Sequence, residues 1–218
     1  MIDILVRSLK SDEDLGKSAL ESFIDLSQFN SEFFNDSACQ IVKIIADIIR
    51  AKEFEVGTKS QASEIVLNLS EKMPAIMRKV NEMSLDFVPA LFQLLTECEE
   101  DQEEWKLSLN DENGTGSDAY SIAVSAISRL SLQMKENFTL KAAAPLIQQC
   151  IAHQDWKIRQ AGYLAIGLIA ESCKDHFKKS IQESVTQVCQ GIQDQHFRVQ
   201  YASLSALANL LLQLSPEI

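Results

Sequence analysis

The sequence predicts an all-α solenoid of antiparallel helix pairs, and three observations carry that prediction. Two stretches near the C-terminus, AAAPLIQQCIAHQDWKIRQAGYLAIGLIAESC and SIQESVTQVCQGIQDQHFRVQYASLSALANLLLQL, repeat one pattern of helix, polar turn and helix. Ala161 and Ala202 hold the same place in the two second helices, 41 residues apart, and a helical-hairpin period of about 40 to 47 residues marks a stacked repeat. Only seven Gly and four Pro punctuate 218 residues, too few for a sheet protein with many tight turns.

The elements follow in order. Residues 11–29 read as a second helix with Leu15, Ala19, Phe23, Ile24 and Leu26 inward, whose first helix is missing or reduced to residues 1–9. Asn30 to Asn35 reads as a turn, with Asp36-Ser37 capping the next helix. Ile41, Ile44, Ile45, Ile48 and Ile49 then line a strongly apolar first helix at helical spacing. A helix around Thr58–Lys72 turns Ala62, Ile65, Val66 and Leu69 inward, 43 residues on from Ala19. Pro74 breaks the chain, and Pro89 opens a helix near 87–98, in the first turn where a missing N–H costs little. Asp118–Gln133 is its partner, with Ala123, Ile127 and Leu130 inward.

Ala62 to Ala123 is 61 residues, whereas Ala123 to Ala161 is 38. The excess lies in ECEEDQEEWKLSLNDENGTGSD, residues 97–118, with nine acids against one base. A connection this long is uncommon in a compact domain and is usually functional or disordered. The array therefore reads as about five repeats: 1–29 (partial), 36–73, 74–133 with the insertion, 138–173 and 175–214. Neither end carries the polar capping repeat of a finished solenoid, so the chain is expected to be a piece of a longer protein.

In the fourth repeat Ile147, Cys150 and Ile151 face Ala161, Leu164, Ala165, Leu168 and Ile169. In the fifth, Val185, Val188, Cys189 and Ile192 face Val199, Ala202, Ala206 and Leu210. Asp155, ahead of Trp156, Lys157, Ile158 and Arg159, offers a carboxylate to free helix N–H groups; Asp194 opens the next turn. Trp156 reads as packing between repeats.

The run HQDWKIRQAGYLAIGLIAESC, followed by IQDQHFRVQYASLSALANL, resembles the central repeats of the importin-beta (karyopherin-beta) family, closest to its importin-five or karyopherin-beta-three branch. Gln195 and Phe197 stand where that family usually has prolines. The resemblance implies HEAT repeats in a right-handed superhelix, with an Asp–Arg ladder through successive turns; Gln200, in the place of Arg159, leaves that ladder incomplete. It also implies an acidic insertion in a central repeat, and ECEEDQEEW resembles the family's acidic stretch ending in Trp. Glu97, Glu99, Glu100, Asp101, Glu103, Glu104, Asp111 and Glu112 would then meet basic surface on the GTPase Ran in its GTP form. Second helices would line a concave wall that holds basic protein cargo. Glu64, Asn68 and Glu71, at i, i+4 and i+7, would offer oxygens to Lys ammonium groups, with Glu171 and Asn209 further along. Phe-Gly nucleoporins are further implied partners, and a shuttling receptor, monomeric at full length, would occupy cytoplasm and nucleus.

Composition agrees with a binding protein. The net charge of −11 argues against nucleic acid, whose binders present Lys/Arg stripes, and suits basic partners. No phosphate loop, HExxH, CxxC or GxSxG occurs, so no catalytic residue, metal or cofactor is expected. Cys39, Cys98, Cys150, Cys173 and Cys189 read as reduced thiols. Asp3 and Arg7 interrupt the apolar start, which is no signal peptide, and no membrane insertion is expected. A HEAT scaffold unconnected with transport would share the periodicity and is the alternative.

Overall fold

The computed structural model describes residues 2–98, 105 and 119–215, and among them every regular element is helical. The first repeat is α1 (Ile2–Ser11) with α2 (Glu13–Phe29). A 3-10 segment (Ser31–Ser37) leads to α3 (Ala38–Arg50), paired with α4 (Val56–Lys72). The short α5 (Pro74–Met77) and a π-helical turn (Met83–Phe87) precede α6 (Val88–Leu94). A 33-residue stretch, α7 (Ala119–Ile151), follows, then α8 (Trp156–Ile169), α9 (Lys174–Lys179), α10 (Ile181–Ile192) and α11 (Phe197–Leu214).

The second helices form one wall. α2 packs on α4, α4 on α7, α7 on α8 and α8 on α11. Ala62, Ala123 and Ala161 are fully buried and Ala202 is 1 % exposed, so each second helix meets its neighbours through a small side chain. Ala19 is only partly buried. Buried side chains run as one cluster from Leu5 to Leu214; each repeat is closed by the next, as stacking requires.

Local sequence explains the starts and stops. Asp12 caps α2, its carboxylate accepting from the N–H groups of Asp14 and Leu15, and Glu13 and Asp14 add negative charge where the helix dipole favours it. Asp155 caps α8 by accepting from Lys157 N–H at 2.9 Å. Pro89 stands in the first turn of α6. α7 is two helices meeting at Lys135, whose φ of 65° and ψ of 160° interrupt the helix. The link between third and fourth repeats is thus a single residue, and Thr139 Oγ1 donates to the carbonyl of Ser131 across it.

Several expectations are corrected. The first repeat has a complete first helix, α1, which contributes Leu5 and Leu9 to the core. Leu15 is 58 % exposed, because α2 is turned so that Gly16, Leu20, Phe23 and Ser27 face inward. A Cβ on Gly16 would stand 2.8 Å from the Cα of Leu9, so the close approach of α1 selects glycine and sets that rotation. Asp36-Ser37 makes no cap. The segment winds as a 3-10 helix that buries Phe34 against Phe23, ring centroids 6.0 Å apart, and Ser37 Oγ donates back to the Phe34 carbonyl.

Candidate binding surfaces

The turn edge is built by polar rungs between successive repeats. Lys17, in α2, reaches Glu55 in the turn of the second repeat at 2.7 Å. Lys59, in α4 and 4 % exposed, reaches Glu97 in the third at 3.1 Å. Arg159, in α8, grips Asp194 of the fifth with two bonds, Nε to Oδ2 at 2.7 Å and Nη2 to Oδ1 at 2.9 Å. In each rung the cation stands in the opening turns of a second helix and the carboxylate in the connection of the following repeat. Beside the first rung, Glu13 accepts from the Thr58 hydroxyl and then Glu55 N–H, which hold its carboxyl below the usual glutamate range.

The ladder is thus more extensive than Arg159 and Gln200 suggest. Lys17, Lys59 and Glu55 escape a search for Asp–Arg pairs because other residue types fill the rungs. Their signal is a base two or three positions before Ala19, Ala62 and Ala161. Gln200 takes over part of Arg159's work: its amide donates to the Asp194 carbonyl, as Arg159 Nη1 donates to those of His153 and Gln154.

Asp194 also receives His196 N–H at 2.8 Å, and the Arg159 guanidinium holds its carboxyl below the usual range. Trp156 lies flat on His196, centroids 3.9 Å apart and planes 8° apart. His196 Nδ1 accepts from the N–H of Arg198. Burial, then the nearby Arg198 charge, push the imidazole's pKa down against the opposing pull of Asp194. A histidine with a depressed folded-state pKa stabilises fully above its unfolded value of about 6.5, and that contribution is lost as pH falls through the folded value. Melting temperature should therefore drop as pH is lowered from 7 to 5, and His196→Asn should remove part of that drop while leaving the acid loss below pH 4.

On the second-helix wall the predicted ladder of free acceptors is corrected. Asn68 is 7 % exposed, and its amide donates to Ser27 Oγ at 3.2 Å. It faces α2 because the α4 surface between second helices is wider than an alanine stripe implies. Glu64 and Glu71 both hold Arg129 of α7: Nη1 and Nη2 grip Glu64 at 2.7 and 3.0 Å, and Nη2 reaches Glu71 at 2.8 Å. The two carboxylates raise the guanidinium's pKa. Glu171 and Asn209 line an open cleft with Ser128, Leu132, Gly167 and Gln213, both exposed.

Of the predicted acidic surface, Glu97 pairs with Lys59, whose burial demands a counter-charge. Glu99, Glu100, Asp101, Glu103, Glu104, Asp111 and Glu112 lie outside the described residues. Trp105, within the same insertion, packs on α11, 5.3 Å from the ring centroids of both Phe197 and Tyr201. No cluster of three metal-ligating side chains and no helix long and apolar enough to span a membrane occurs among the described residues.

An importin-repeat family model matches residues 51–140. Importin subunit beta-3 of Saccharomyces cerevisiae is 26 % identical over 226 residues, covering 100 % of this chain and 21 % of its own length. The solved structure of Kap121p bound to RanGTP superposes with a TM-score of 0.89 at 26 % identity, over 97 % of this chain and 21 % of that one. Along its whole length the chain is similar to karyopherin-beta proteins. Two further karyopherin relatives agree: a probable importin-5 homolog of Dictyostelium discoideum, 24 % identical over 90 % of this chain and 18 % of its own length, and Kap121p bound to Pho4p, TM-score 0.90 at 25 % identity over 98 % and 21 %. The chain spans about a fifth of the length of the relatives it matches. Its HEAT-repeat architecture is theirs.

Proposed function

We propose that the chain works as part of a nuclear transport receptor, a non-catalytic binding solenoid that shuttles between cytoplasm and nucleus. One observation carries this reading: likeness to importin subunit beta-3 runs along the whole chain, and the solved relative has been captured with RanGTP. Structures of Kap121p with Pho4p and with Nup53p are matched equally well, which supports protein cargo and a nucleoporin as partner classes.

Cargo lies on the second-helix wall. Glu171 and Asn209 are exposed acceptors on it; Glu64 and Glu71, shared with Arg129, keep one net negative charge between them. The insertion's acids attract basic surface on Ran, adding jointly to encounter rate where single exposed pairs contribute only about 0–1 kcal/mol. Bending is cheap because repeats touch mainly their neighbours, so small shifts sum to a change of curvature.

A chimera tests the reading. This 218-residue chain replaces the matching fifth of Kap121p, and immobilised Ran is loaded with GTP or GDP. Retained GTP-selective capture, with affinity within about tenfold of the parent (about 1.4 kcal/mol), is the expected result. A folded chimera that captures neither form would make the chain a scaffold rather than a transport module.

A further inference from the structure

We propose that Trp105 anchors a brace from the third repeat to the fifth across the turn edge of the fourth. Repeats in a solenoid ordinarily contact only their neighbours. Trp105 departs from that rule: its ring sits edge-on to Tyr201 and tilted against Phe197, both in α11, more than ninety residues along the chain. The insertion occupies, in the third repeat, the place that the Asp155 and Asp194 turns occupy in the fourth and fifth.

Arg198 is what the brace clamps. Its guanidinium lies 4.9 Å from the Trp105 ring centroid and 5.4 Å from that of Trp156, between an indole of the third repeat and one of the fourth. Nη1 is 3.7 Å from Cys98 Sγ, at the root of the insertion. The side chain is 3 % exposed, and Nε has no hydrogen-bond partner. A buried cation in this position is held by π-faces rather than by a matched carboxylate, and desolvated cation–π contacts contribute about 2 kcal/mol or more. Trp105 supplies one of those faces and covers the site. With it removed, Arg198 loses one of its two π-faces and meets water, and the third repeat touches the fifth in this cluster only through Cys98. The brace thereby sets the relative tilt of the third, fourth and fifth repeats.

The chain holds two tryptophans, Trp105 and Trp156, so each can be watched alone. In Trp156→Phe the remaining Trp105 should be quenched by acrylamide about threefold more weakly than in the urea-unfolded chain, as a packed indole is. Hydrogen exchange in Trp105→Ala should then rise about tenfold at amides 198–203, and together with them at 91–95 at the end of α6, while amides 62–69 of α4 keep their protection. Trp105→Phe should restore most of the protection. Quenching of Trp105 equal to that of the unfolded chain, or unchanged exchange at 198–203 in Trp105→Ala, overturns the brace. A rise at 198–203 with none at 91–95 reduces it to a local cover and overturns the coupling.

Discussion

Arg159→Ala should destabilise the fourth and fifth repeats by about 3 kcal/mol, the loss expected when one partner of a largely buried, two-bond ion pair is removed. Arg159 and Asp194 side chains are 17 % and 13 % exposed, so the orphaned carboxylate would stay poorly hydrated. The carbonyls of His153 and Gln154 would lose their donor as well. Asp194→Ala should cost a similar amount, and the double variant less than the sum, because both changes break one interaction. Arg159→Lys should recover less than half, since an ammonium cannot reproduce the fork. Urea unfolding of the four proteins, followed by hydrogen exchange to localise the change, decides it; additive losses would mean the pair is not a unit. The carboxyl of Asp194 has a folded-state pKa below its unfolded value. Its contribution is therefore present above about pH 4 and disappears as pH falls further, so the Arg159→Ala deficit should shrink at pH 3.

The second large effect is expected at Gly162, where α8 crosses the end of α7. A Cβ there would lie 2.8 Å from Cys150 Cβ, 2.9 Å from Ile151 Cγ2 and 3.1 Å from the backbone nitrogen of Ile151. None of these is the free end of a flexible side chain, so the helices must move apart. Gly162→Ala gains about 1 kcal/mol of helix propensity but should lose about 3 kcal/mol to overpacking, a net destabilisation near 2. Gly162→Val should cost more, because branching adds a second clash at the same carbon. Melting temperatures of the series test this, and a stabilised Gly162→Ala would show that the repeat is looser than its packing implies. Gly57, whose added Cβ meets nothing within 4 Å, is the control.

The two sites also mark what the sequence could and could not disclose. Alanines at 62, 123, 161 and 202 reveal the wall because a helix crossing that allows only a small side chain recurs once per repeat. Leu15 misleads for a related reason: Gly16 is the smaller neighbour, and close approach turned the helix to place it, not the leucine, against α1. The turn acid Asp155 was legible as a cap, since capping is settled within three residues. The partners of Lys17, Lys59 and Arg129 were not, because 38 to 65 residues separate them from Glu55, Glu97 and Glu64. Periodicity says that repeats stack, but only the stacking angle decides which side chains meet. Asn68 was misplaced on that account, and Trp105 could not have been assigned to Phe197 and Tyr201 from spacing at all.

The ladder also gives the stack a direction. The second repeat holds out Lys59 on one side and receives Lys17 on the other, so a neighbour joined to it in reverse would set like charge against like. Excising a whole period should leave a base still opposite an acid, whereas a cut of half a period should leave both ends unmatched. Rearranged repeats would therefore keep their rungs only in steps of one complete unit and only in the original chain direction.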